Sequence, residues 1–192
     1  MRGLPLTTLS VTALSLVGTL SPTVAELLIY DRDAIGAGEV WRLLSGHLVH
    51  LTSPHLLADL TVFVVSGCLI ERERGGDCGW LYLVMGAAIG VALWSLDTSL
   101  ARFGGLSGLA YGNVAFLALS MCRRQPHQRV PATAILATLI VKLVSDFVYP
   151  GASLMGSVSQ PFVSVPLAHL VGVLTAGAFF ITTTKEYRHV IA

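Results

Sequence analysis

The chain has 192 residues, of which 54% are hydrophobic and 12% charged, with a formal net charge of +1. An average soluble domain is about 25% charged, so this composition is that of an integral membrane protein. A near-neutral chain with no basic run beyond Arg123-Arg124 has no electrostatic footprint for nucleic acid, and that partner class is excluded.

Charged and Pro/Gly-rich punctuation leaves six apolar stretches, at residues 4–30, 55–70, 79–96, 105–122, 130–149 and 162–184. Each is near the ~20 residues a spanning helix needs. They predict an all-α integral membrane protein, a six-transmembrane-helix bundle occupying residues 1–192 as one domain, with short loops and lipid around it. Function then sits within the membrane. In the first stretch, Thr23-Val24-Ala25 has the small-x-small form of a signal-peptidase site, but the run 4–30 is long for a signal peptide.

Sidedness follows from Lys and Arg between the stretches. Arg2, Arg72, Arg74, Arg123, Arg124, Arg129, Lys185 and Arg188 fall on one side, and Arg32, Arg42 and Arg102 on the other. Eight against three predicts a multi-pass protein of the cell inner membrane with both termini cytoplasmic and the 31–54 loop outside. Cys68, Cys78 and Cys122 lie at or near cytoplasmic span ends and are expected as free thiols.

Depth is the informative coordinate, because a helix rises about 1.5 Å per residue. His55 precedes Arg72 by 17 residues, Ser107 precedes Arg123 by 16, and His169 precedes Lys185 by 16. All three lie about 24 to 26 Å above the cytoplasmic anchors, in one plane. Polar residues inside a bilayer are costly unless they face each other or a watery cavity, so three at one depth on three spans predict a shared site.

The fourth stretch is entered through FGGLSGLAY, residues 103–111. A helix starting at Ser107 is too short to span, so the preceding residues enter the membrane as irregular backbone, tolerated only where it lines a protein-enclosed cavity. Gly104 and Gly105 permit unusual dihedrals, and the helix start supplies N–H groups able to stabilise an oxyanion. Ser107 is thus a nucleophile candidate with His169 as its base. Gly108 and Gly112, with Ala168, Gly172 and Ala176, form small-residue faces that let the fourth and sixth spans approach closely.

Together GGLSG with Tyr111 one turn on, Ala168-His169-x-x-Gly172, Trp41-Arg42, and His50 followed by His55 resemble the rhomboid intramembrane serine proteases over about residues 39–177. The run WRLLSGHLVHLTSPHLLADL is most similar to the rhombosortase branch, associated with proteins bearing a C-terminal Gly-Gly-containing anchor. The resemblance implies an intramembrane serine endopeptidase that cuts transmembrane anchor segments near the outer face and needs no cofactor. Ser107 would be the nucleophile and His169 its base, a dyad with no third acid. Tyr111 would pack on the histidine, and Gly105 and Gly108 would support the serine turn. His55 would serve the oxyanion together with Ser107, and Trp41, Arg42 and His50 would hold the outer loop. Asp59 stands where rhomboids commonly carry an asparagine, and a carboxylate would repel the oxyanion; either its carboxyl is neutral and donates there, or it turns away to bond elsewhere, with His55 one turn off as a partner.

Other classes fit less well. His47, His50 and His55 invite a metal reading through an HxxH spacing, but a single nearby carboxylate, Asp59, and no HExxH motif argue against metal catalysis. Lys142 and Asp146 are expected as an intramembrane ion pair, with a role in tuning a lateral gate as the functional alternative. The 150–160 loop reads equally as a flap or a plain connector. A transporter would show an internal repeat and a midplane site, and neither is present. A non-proteolytic, rhomboid-like client-binding protein usually lacks the serine or the histidine, and both are kept here.

Overall fold

The computed structural model describes residues 4–74, 77–124, 126–149 and 165–189; the 150–160 loop lies outside them. The first predicted span is two helices, α1 (Leu6–Leu20) and α2 (Pro22–Leu28), bent by 112°. Pro22 lacks an amide hydrogen, and its ring disfavours helical backbone at the residue before it. Ser21 accordingly lies at φ −106°, ψ 109°. With 15 residues, α1 is about 22 Å long, short of a ~30 Å hydrocarbon core.

Two short helices follow, α3 (Arg32–Gly36) and α4 (Arg42–Ser45). The long elements are α5 (Ser53–Arg74), α6 (Asp77–Leu96), α7 (Ser107–Arg124), α8 (Arg129–Val148) and α9 (Pro166–His189). Among the described residues, four segments are long and apolar enough to cross a membrane: α5, α6, Pro126–Val148 and Pro166–Thr183. The bent α1–α2 pair brings the number to five. Length and apolarity therefore do not reach the expected six, because α7 carries Asn113 and ends in Arg123-Arg124. Its enclosure explains this composition: α7 packs against α5, α8 and α9, and a helix covered by protein needs no lipid-compatible surface.

The core lies between α5, α6, α7 and α9, around the fully buried Phe63, Leu81, Met85, Ile89 and Phe116. The predicted small-residue contact is present. Gly172 of α9 rests on the Gly108 carbonyl of α7, and a Cβ on Gly112 would sit 2.8 Å from the Gly172 carbonyl oxygen. Two charged side chains close helix ends. Glu71, near the end of α5, accepts the Thr7 and Thr8 N–H groups at 2.7 and 2.8 Å and the Thr8 hydroxyl at 2.8 Å, at the start of α1. Arg32 donates to the carbonyls of Leu93, Trp94, Asp97 and Leu100 at 2.6 to 3.1 Å, covering the end of α6.

A two-residue antiparallel ribbon joins β1 (Tyr30–Asp31) to β2 (Arg102–Phe103), with Tyr30 opposite Phe103. It ties the backbone leaving α2 to the backbone entering α7. Gly104 lies against the Val49 carbonyl, and the Gly105 N–H points to the Gly46 carbonyl at 3.4 Å. The glycine stretch is therefore held from outside before α7 begins.

Candidate active site

The site is built on helix ends. Ser107 is the first residue of α7, His169 is in the first turn of α9, His55 is in the first turn of α5, and Asp146 is in the last turn of α8. His169 Nε2 lies 3.0 Å from Ser107 Oγ. The Tyr111 ring stacks on the His169 imidazole, centroids 4.0 Å apart and planes 9° from parallel. Of the three residues matched by depth counting, Ser107 and His169 are in direct contact, and His55 lies beside Gly105, two residues before the serine.

Gly105 has φ +143°, a conformation other residues rarely adopt. A Cβ there would come within 2.6 Å of His55 Cε1 and 3.2 Å of Asp59 Oδ2. Glycine is required both by the turn and by the two side chains packed under it. Gly108, one residue past the serine, allows the α9 backbone to reach the site: its Cβ would lie 3.0 Å from the Ala168 carbonyl oxygen.

Asp59 is turned toward two imidazoles. Its Oδ2 lies 3.1 Å from His50 Nε2 and 3.0 Å from His55 Nε2, and the two imidazoles meet edge to face at 4.9 Å. His50 Nε2 is also 3.3 Å from the Leu106 N–H, and its Nδ1 is 3.4 Å from the hydroxyls of Ser15 and Thr19. His50 therefore links α1, α5 and the serine loop. Burial holds its pKa below the ordinary histidine value, against the pull of the Asp59 carboxylate.

His47, the other half of the HxxH spacing, points away from this group. Its Nε2–H faces the Gly86 carbonyl at 3.1 Å and its ring meets Phe103 edge-on, and burial lowers its pKa. The ligand atoms of His50, His55 and Asp59 lie within 4.8 Å of one another, close enough to share a cation; both imidazoles approach the same carboxylate oxygen, Oδ2. Trp41 and Arg42 lie away from the serine. Trp41 Nε1 donates to the Leu27 carbonyl at 3.2 Å, and buried Arg42 donates to the Glu26 and Ile29 carbonyls and pairs with Glu39 at 2.6 Å. They fasten α4 to the end of α2.

One contact departs from the expected dyad. Asp146 Oδ2 lies 3.0 Å from His169 Nδ1 and accepts the Tyr111 hydroxyl at 3.2 Å, while Oδ1 pairs with Lys142. The expected Lys142–Asp146 pair exists, but the carboxylate also reaches the histidine. The sequence held a signal for this, because Asp146 follows Arg129 by 17 residues. At about 1.5 Å per residue this is the same depth as Ser107 and His169.

Residues 37–186 match the Rhomboid domain family. The chain is 38% identical over 79 residues to the rhomboid protease GlpG of Haemophilus influenzae, covering 41% of each chain. It is 26% identical over 162 residues to the rhomboid protease GluP of Bacillus subtilis, covering 84% of this chain and 32% of that protein. The chain thus spans less than half the length of either relative. With the family match extending over most of the chain, from the Trp41-Arg42 loop past His169, the protein belongs to the rhomboid family.

Proposed function

We propose that this chain is an intramembrane serine endopeptidase in which Ser107 is the nucleophile and His169 the general base. The observation that carries this is the 3.0 Å approach of His169 Nε2 to Ser107 Oγ at the start of α7. Ser107 Oγ attacks the scissile carbonyl carbon as its proton passes to His169 Nε2. The same proton then goes to the leaving amine nitrogen as the C–N bond breaks, and water repeats the sequence on the acyl-enzyme. The oxyanion is received by N–H groups at the start of α7 and by His55 on the α5 side. Asp59, between His50 and His55, fixes those rings.

The substrates are transmembrane segments that unwind near the outer membrane face, with both termini of the enzyme in the cytoplasm and the protein in the inner membrane. The run 41–60 supports the finer assignment to the rhombosortase branch, acting on proteins with a C-terminal Gly-Gly-containing anchor. The test is a fluorophosphonate probe on the detergent-solubilised protein, together with processing of such an anchored protein in cells. Ser107→Ala is expected to abolish both. Labelling that persists on another serine would overturn the assignment, and a folded wild type that never labels would favour client binding without cleavage. Anchor processing unchanged by Ser107→Ala would remove the rhombosortase assignment alone.

A further inference from the structure

The buried face of α8 carries Ala132, Leu139, Leu143 and Asp146. The last of these breaks an apolar stripe at the level of the site, and its side chain is only 4% exposed. A carboxylate so placed is costly in a membrane protein unless it is fully bonded. An ion pair with Lys142 alone would use one oxygen and could stay near the surface, since Lys142 is 39% exposed. Instead the second oxygen is turned inward, onto His169 Nδ1 and the Tyr111 hydroxyl.

We propose that Asp146 is a positioning residue for His169 and converts the serine–histidine pair into a Ser107–His169–Asp146 triad. This rests on the assignment of Ser107 and His169 as nucleophile and base. An ionised Asp146 accepts Nδ1–H, which fixes the neutral tautomer whose Nε2 lone pair faces Ser107 Oγ. When Nε2 takes the serine proton, the imidazolium charge faces the carboxylate, which remains ionised and takes no proton. Lys142 and the Tyr111 hydroxyl hold the carboxylate in place, so the residue that stacks on the imidazole also anchors its acid. The other titratable groups beside the serine loop, His50, His55 and Asp59, are engaged with one another.

The experiment measures the second-order rate of fluorophosphonate labelling of Ser107 against pH, on monodisperse full-length protein. Ser107→Ala and His169→Gln come first: if either still labels at the wild-type rate, the dyad itself fails, whatever Asp146 does. With both silenced, Asp146→Asn is expected to slow labelling about a hundred- to ten-thousand-fold. The acid limb of the profile is expected to move to lower pH, because the imidazolium loses its counter-charge. Wild-type labelling by Asp146→Asn would overturn the proposal, as would a slower rate with an unmoved acid limb, the mark of a purely structural loss. If the variant does not fold, ¹⁵N-histidine spectra of the wild type decide, with His169 assigned by its absence in His169→Gln. A neutral ring protonated on Nδ1 is expected, and one protonated on Nε2 overturns the triad.

Discussion

At the scale of single residues, the serine loop is shaped by what stands beneath it. Gly105 is held at φ +143° with the His55 ring and the Asp59 carboxylate where a side chain would begin. Gly105→Ala is therefore expected to add about 1–3 kcal/mol of backbone strain and to push His55 or the loop aside. Fluorophosphonate labelling of Ser107 should fall at least tenfold in protein that remains monodisperse. Labelling at the wild-type rate would show that the loop tolerates a Cβ and that His55 does not depend on the turn. The need for glycine at this point was legible from GGLSG. The identity of the side chains filling the space was not, because His55 and Asp59 meet it from another part of the chain.

At the scale of elements, charged side chains at helix ends hold the bundle where apolar packing alone gives no register. Glu71 brings three donors at the start of α1 to the end of α5. Charge-assisted hydrogen bonds of this kind contribute roughly 1.5–3 kcal/mol each, and unmet donors add a desolvation cost. Glu71→Ala is expected to lower the thermal unfolding temperature by several degrees, with Glu71→Gln in between. An unchanged unfolding temperature for Glu71→Ala would mean that water replaces the carboxylate without loss. The bend between α1 and α2 belongs to the same scale. Apolarity extends through Ser21-Pro22 without a break, so composition predicted one span, whereas the backbone chemistry of a proline and its predecessor made two helices.

For the whole molecule, the eight-to-three distribution of basic residues predicts which end of the bundle faces the cytoplasm. The connection between α6 and α7 should lie outside and the turn between α7 and α8 inside. A cysteine at the exposed Ser99 is expected to react with a membrane-impermeant maleimide in intact cells. One at the exposed His127 should react only after permeabilisation. The opposite pattern would invert the orientation and place the Ser107 end of the bundle toward the cytoplasm.

The sequence by itself determined a mostly helical membrane protein and an expected common depth for Ser107, His55 and His169. Both depend on distances along the chain: helix rise per residue and the spacing of basic anchors are local properties. It also carried the close approach of α7 and α9, since small residues four apart permit it wherever the helices meet. Only the tertiary structure decided which polar groups share a bond. Asp146 was legible as the partner of Lys142, one turn away on α8, but its contact with His169 depends on how α8 is rotated against α7 and α9. Asp59 meets His50, which also lies against the α1 hydroxyls and the Leu106 N–H. Such choices belong to rotation about helix axes and to long-range packing, and no spacing along one chain segment specifies them.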